Sequence, residues 1–289
     1  MKIKSFAKIN LGLEVLGKRS DGYHDIRTLF QSVSLYDELE AETLEDERIV
    51  ISGTGENIPW DRSNLICQAA RLLQKQFAVG KGAFFRVKKN IPPGKGLGGG
   101  SSNAAMVLFF LNKLWDIKAD PVTINEIARQ IGADVPYFLR GGLCLGTERG
   151  DVVSPLQDKA GFYCLLIFPE FRISTHYIYQ QHLSCSLTSD YKDSKIIRFL
   201  AENKFSILEN DLEETVFRSH PQLADMKQTL LSQGAELSMI SGTGSTVFGI
   251  FLSRQQAARA REKLGQAWHA VIVEPVDRTR YWEECHAGV

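Results

Sequence analysis

Residues 94–103 read Gly-Lys-Gly-Leu-Gly-Gly-Gly-Ser-Ser-Asn, with five glycines in seven positions. An extended pattern, AFFRVK at 83–88, precedes this run, and an apolar helical pattern from Asn103 to Trp115 follows it. Glycine reaches backbone angles closed to other residues and lets a ligand approach the main chain. The first-turn N–H groups of the following helix have no internal partner, and its dipole is positive at that end. Strand, bare turn and helix start together predict an anion site, most naturally for phosphates. Ser101 and Ser102 are predicted to cap the helix. The pattern G-x-x-x-x-G-K-[ST] is absent. G-x-G-x-x-G fits formally at Gly94, Gly96 and Gly99, with Asp116 further on. However, Lys88-Lys89-Asn90 and Pro92-Pro93 separate it from the strand that a dinucleotide loop should follow directly. A protein-kinase glycine loop would need H-R-D and D-F-G, which do not occur.

Around this turn, strand and helix patterns alternate. Over residues 3–16, Ile9, Leu11, Leu13 and Val15 fall on one face and Lys8, Asn10 and Glu14 on the other, which predicts a strand. Asp21-Gly22 marks a turn, and 27–35 and 48–52 predict further strands. Leu65, Ala69, Leu72, Leu73 and Phe77 form a helical stripe over 64–78 that Ser63 or Asn64 can cap. Thr123 and Glu126 read as a capping box for a helix ending at Gly132. The second half has a strand at 162–168, helical segments to about 233 and a strand at 237–240. The tight turn Gly242-Thr243-Gly244, a strand at 246–252, a charged helix at 254–264 and a strand at 270–276 complete it. That order suggests a split β-α-β sandwich. The expectation is an α+β chain of two domains, 1–152 and 153–289, with the boundary near Gly146–Pro155.

Lys plus Arg and Asp plus Glu each number 34, so the formal net charge is zero. That balance argues against a chain working mainly as a polyelectrolyte on DNA or RNA. No apolar run is long enough to predict a membrane span. The apolar stretch near the start is interrupted by Lys8, Asn10 and Glu14 and lacks an A-x-A site, so it does not read as a signal peptide. Five cysteines without a C-x-x-C pair fit a reducing cytoplasm.

Four ordered segments carry a family resemblance. Residues 91–105 (IPPGKGLGGGSSNAA) resemble the phosphate loop of small-molecule kinases related to galactokinase, homoserine kinase and mevalonate kinase. The GLGGGSSN form resembles the 4-diphosphocytidyl-2-C-methyl-D-erythritol kinase branch. FAKINLG at 6–12 with DGYH at 21–24, GADVPYF at 132–138 and SGTGSTVF at 241–248 are similar to that branch's other motifs. The resemblance implies a two-domain GHMP kinase fold. An N-terminal ribosomal-S5-like domain would face a C-terminal ferredoxin-like split β-α-β domain, with the active site in the cleft between them. It also implies ATP-dependent phosphorylation of the 2-hydroxyl of a cytidine-diphosphate-linked methylerythritol, on the non-mevalonate route to isoprenoid precursors.

The resemblance assigns roles residue by residue. Asp134 would be the general base, and Lys8 would orient it and offset charge on the transferring phosphoryl group. Asn10 would bind substrate, Tyr23 would stack on cytosine and His24 would bond the base edge. Phe30, Thr175 and Tyr179 would complete that pocket, with Tyr177 competing for the place of Tyr179. ATP would meet Asn64 and Lys89 near its adenine. Its phosphates would meet Pro92, Pro93, Gly94, Lys95, Gly96, Leu97, Gly98, Gly99, Gly100, Ser101 and Ser102. The Gly242-Thr243-Gly244-Ser245 turn would approach from the second domain. Magnesium is implied with ATP, near Ser101 or Ser102, without a full ligand set. The partners expected are ATP and one small molecule, not nucleic acid or membrane, in a cytoplasmic monomer or weak homodimer. Competing readings are a sibling kinase for homoserine, mevalonate or a sugar, a nucleic-acid-binding protein with an S5-like domain, and a dehydrogenase.

Overall fold

β1 (Lys2–Lys18) and β2 (His24–Leu44) pair antiparallel along almost their whole length. The structure is a computed structural model and describes residues 2–55, 58–182, 194–265 and 268–286. Register shifts at Phe6/Ala7 and Asn10/Gly12 isolate a short stretch of β1 that carries Lys8 and Asn10. Such bulges bend a strand and re-aim its side chains. Lys8, Asn10 and Glu14 are buried, so the polar face of β1 is not a solvent face. Glu14 accepts bonds from Arg27, Ser194 Oγ and the Ile196 amide.

β2 extends nine residues past the predicted 27–35, to Leu44. Its tail reads as polar, but Leu39 and Ala41 face the core while Glu38 and Glu40 pair across the sheet with Lys88 and Arg86. β3 (Ile49–Thr54), helix α1 (Leu65–Phe77) and β4 (Gly82–Lys88) form a parallel crossover unit. β5 (Leu143–Thr147) and β6 (Val152–Pro155) complete the first sheet, in the order β3-β4-β2-β5-β6 with β1 also on β2.

Helices α2 (Gly99–Leu114), α3 (Pro121–Ile131) and the short α4 (Val135–Phe138) cover one face of this sheet. Two predicted caps are corrected. Gly98, not Ser101 or Ser102, is the N-cap of α2: its left-handed φ of 68° turns the chain, and the helix already includes both serines. Asp120, not Thr123, caps α3, because Pro121 fits the first helical position and Asp120 accepts the Val122 and Thr123 amides.

The other face of β1 and β2 packs on the second half, where Ile9 and Leu11 meet Cys164, Leu166, Phe248 and Ile250. There β7 (Tyr163–Phe168) leads through α5 (Thr175–Gln181), α6 (Lys195–Glu202), α7 (Glu213–Ser219) and α8 (Gln222–Ser232) to β8 (Leu237–Ile240). β9 (Val247–Phe251), α9 (Arg254–Leu264) and β10 (His269–Val273) follow. The antiparallel order β10-β7-β9-β8 is the expected split β-α-β arrangement. The last helix, α10 (Arg278–His286), returns to the first half. Its Tyr281 and Cys285 enter the core beside α2, and Tyr281 Oη donates to Phe138 O at 2.8 Å.

Candidate active site

The glycine turn lines a cleft of ≈ 420 Å³, bounded by residues 92–101, Asn64, Lys89 and Asp134, with Ile58, Trp60 and Leu65 as apolar wall. That volume falls within the range of small-ligand pockets. Gly94, Gly96 and Gly98 all have positive φ, at 70°, 77° and 68°. Two of them are also held by space. A Cβ on Gly96 would lie 2.2 Å from Ser241 O, and one on Gly98 2.7 Å from the Phe138 ring. The Ser102 amide closes the first turn of α2 on Gly98 O, which leaves the earlier N–H groups of that turn without helical partners. Ser101 lines the cleft; Ser102 is buried behind it and accepts a bond from Ser5 Oγ at 2.6 Å.

Asp134 ends the turn after α3 and is the N-terminal flank of α4, without using its side chain as a cap. Its Oδ2 lies 3.6 Å from Lys8 Nζ, an ion pair too long for a direct hydrogen bond. Lys8 Nζ donates to Asn10 Oδ1 at 2.5 Å and lies over the Phe30 ring at 5.5 Å. Burial pushes the Lys8 ammonium below its ordinary range, with Asp134 acting in the opposite direction. Asn10 also donates to Thr28 Oγ1, and its amide N–H to Ser241 Oγ. Ser241 Oγ donates in turn to Gly96 O at 2.9 Å. The second glycine turn closes the same space: a Cβ on Gly242 would lie 3.2 Å from Asn10 Oδ1. Phe30 is buried against Tyr137, so it floors the site beneath Lys8 and does not face the opening.

At the other end of the hairpin, the His24 and Tyr179 rings are 5.2 Å apart. Tyr179 is half-buried, whereas Tyr177 is exposed. Burial, then the nearby His182 and Lys18, push the His24 imidazole below its ordinary range. Tyr23 is 53% exposed, and the Arg149 guanidinium lies over its ring at 5.0 Å. Arg149 is held by the buried Asp151 at 2.6 Å, which Arg129 also pairs. Burial alone would raise the Asp151 carboxyl, but the two arginines outweigh it and hold it below the usual carboxylate range. Thr175 Oγ1 lies 3.0 Å from Thr243 Oγ1.

Lys89 reaches the cleft from beneath the turn, and its ammonium bonds Asp37 and Asn103. Asp37 is fully buried and also accepts the Asn90 and Ile91 amides and the Asn103 side-chain amide. A buried carboxylate with this many donors is satisfied and rigid. It ties the entry of the phosphate turn to α2. Asn64, expected near adenine, uses its side chain to cap α1 and to bond Pro59 O.

Among the described residues no cluster of three or more His, Cys, Asp or Glu is placed to hold a metal. Asp134 is the carboxylate lining the cleft. Such a site fits a magnesium ion carried in mainly on nucleotide phosphates, not a protein-built cage.

The models for the GHMP kinases N terminal domain and GHMP kinases C terminal match residues 64–142 and 194–270. A 4-diphosphocytidyl-2-C-methyl-D-erythritol kinase of Pelodictyon phaeoclathratiforme is 40% identical over 281 residues, covering 94% of this chain and 96% of that protein. A crystal structure of 4-(cytidine 5'-diphospho)-2C-methyl-D-erythritol kinase superposes with a TM-score of 0.80 at 33% identity, over 95% of this chain and 99% of that one. The chain belongs to the 4-diphosphocytidyl-2-C-methyl-D-erythritol kinase family. A homoserine kinase from Cytophaga hutchinsonii, at 20% identity and a TM-score of 0.76 over 96% of this chain and 95% of that one, shares the fold.

The family motifs thus converge in space: Lys8, Asn10, Asp134 and both glycine turns meet at one point, and His24 meets Tyr179. Asp37, Ser5, Arg149 and Asn210 were not singled out from the sequence. Asn210 donates to Ile240 O and Gly242 O and so holds the second turn in place. The Asp21-Gly22 turn beside Tyr23 gave no signal for Arg149, which is distant in sequence.

Proposed function

We infer that this chain transfers the γ-phosphoryl group of ATP to the 2-hydroxyl of 4-diphosphocytidyl-2-C-methyl-D-erythritol, giving the 2-phosphate and ADP. The observation that carries this reading is the Lys8–Asp134 pair, placed where the phosphate turn meets the hairpin that bears Tyr23 and His24. The triphosphate lies along residues 92–101, held by main-chain N–H groups at the start of α2. Cytosine lies between Tyr23 and Tyr179 with its edge on His24, and Asn10 and Thr175 contact the rest of the acceptor. The acceptor hydroxyl oxygen attacks the γ-phosphorus, Asp134 takes its proton, and the bond to the ADP oxygen breaks. Lys8 stays behind the carboxylate and offsets negative charge as the oxygens redistribute it. A magnesium ion brought in on the nucleotide phosphates would be met by Ser101 and Asp134 on the cleft wall and would supply further charge neutralisation.

The functional division places ATP binding and catalysis in residues 1–152 and most of the second cleft wall in 153–289. One chain supplies every group named, so a monomer suffices. Among the described residues no helix is long and apolar enough to cross a membrane. The four described cysteines are free and buried, which supports a place in a reducing cytoplasm.

The test is ADP release in a coupled assay with the cytidine substrate, homoserine and mevalonate side by side. Turnover with the first alone is expected. Turnover with homoserine or mevalonate instead would replace this reading by that of a sibling kinase.

A further inference from the structure

Lys95 is the charged residue within the glycine run, and family resemblance places it among the ATP contacts. Its ammonium points elsewhere. It is buried and donates to the main-chain carbonyls of Pro169 and Phe171. Those carbonyls belong to the connection between β7 and α5. α5 starts at Thr175 and carries Tyr179, the ring beside His24. Other bonds fasten the same junction. Ser245 Oγ donates to Phe171 O at 2.8 Å, the Thr246 amide donates to Lys95 O at 3.3 Å, and Gly94 packs on the Arg172 side chain.

We propose that Lys95 is a positioning residue for the cytidine pocket: its ammonium fastens the phosphate turn to the 169–171 connection and so sets where α5 holds Tyr179. This rests on the substrate reading given above. Carbonyls in a connection between elements need donors, and an ammonium can serve two at once. The phosphate turn already offers main-chain N–H groups to the nucleotide, so it does not depend on this cation. Burial, with Arg172 nearby, lowers the Lys95 ammonium from its ordinary range, against the opposing pull of the Glu170 carboxylate.

The test is a double-mutant cycle with Lys95→Met and Tyr179→Ala, read by the KM of the cytidine substrate and by calorimetric affinity for ADP. Lys95→Met is expected to raise that KM about tenfold, the scale of a lost charge-assisted hydrogen bond, with ADP affinity nearly unchanged. In the Tyr179→Ala background the same change is expected to add little, because Lys95 acts through that ring. The proposal is overturned if ADP affinity falls while KM holds, if KM does not move, or if the two effects multiply independently. Should Lys95→Met fail to fold, Lys95→Ala, which also removes the donor, enters the same cycle under the same criteria. A wild-type chain with no turnover of the cytidine substrate would overturn the substrate reading and this inference together. Normal wild-type turnover with any of the contrary results overturns this inference alone.

Discussion

Lys8 and Asp134 form an asymmetric pair: the lysine side chain is 4% exposed and the aspartate 38%, with 3.6 Å between Nζ and Oδ2. The cation is behind the carboxylate, and the carboxylate keeps a face toward the cleft. On the proposed reading, a proton leaving the acceptor hydroxyl would therefore meet Asp134 first.

Asp134→Asn is expected to lower kcat by about 10²–10⁴-fold, the usual contribution of a positioned proton acceptor. ADP affinity should stay near the wild-type value, since the main-chain cradle is untouched. Steady-state turnover with calorimetry checks both, and near-normal turnover would remove Asp134 from this role.

Lys8→Met should abolish most turnover yet preserve or raise the melting temperature. The folded-state pKa of Lys8 lies below its ordinary value, so the charged form costs stability when folded. That cost is present at neutral pH and is relieved only as pH climbs from the lowered value toward the ordinary one near 10.5. A methionine of similar length removes a desolvated charge. A marked fall in melting temperature would show that the ammonium is a net stabiliser.

Tyr23→Ala should raise the KM of the cytidine substrate while leaving kcat within a small factor. Stacking on a base contributes about 1–3 kcal/mol, which corresponds to roughly 5- to 150-fold in affinity. Arg149→Ala should produce a smaller change of the same kind, because the guanidinium packs over the ring and holds it. An effect confined to the KM of ATP would place the base elsewhere.

Gly96→Ala should destabilise the fold as well as the site. The residue has a φ of 77°, and the added Cβ would meet Ser241 O at 2.2 Å. Strain and overpacking of this kind cost on the order of 1–3 kcal/mol each. Chemical denaturation gives the number; a wild-type midpoint would mean that the two turns separate freely.

Substrate affinity should depend on pH through His24. Its imidazole is held below its ordinary value of 6.5, so the neutral form is favoured in the folded chain. Stability from neutral His24 is complete above 6.5 and is lost as pH falls from there toward the lowered value. The KM of the cytidine substrate should be flat at neutral pH and rise only in the acid range, and His24→Gln should flatten that rise. A rise that persists in His24→Gln would assign it to another group, such as His182.

Much of the fold was legible because local signals agreed with each other. Ser253 before α9 and Gly265 after it bracket that helix, and β8 is a short apolar run between turns. The glycine turn was legible because few other structures need so many glycines. The tail of β2 was not, since its glutamates look like a helix or loop until Arg86 and Lys88 are seen opposite them. Asp37 was equally hidden: its donors come from Lys89, Asn90, Ile91 and Asn103, more than fifty residues away in the chain. At Lys95 the motif marked the turn, while the Pro169 and Phe171 carbonyls that its ammonium bonds come from a connection more than seventy residues away in the chain.

The β1–β2 hairpin carries Lys8 and Asn10 midway along its length and His24 at its closed end, on one antiparallel pair of strands stepped by bulges. Read lengthwise, it is a measuring rod. On the proposed reading, a molecule gripped by its base at one mark would offer for reaction only the hydroxyl that falls at the other. Analogues with a shortened or lengthened diphosphate bridge should dock at the base end and go unphosphorylated, behaving as dead-end competitors.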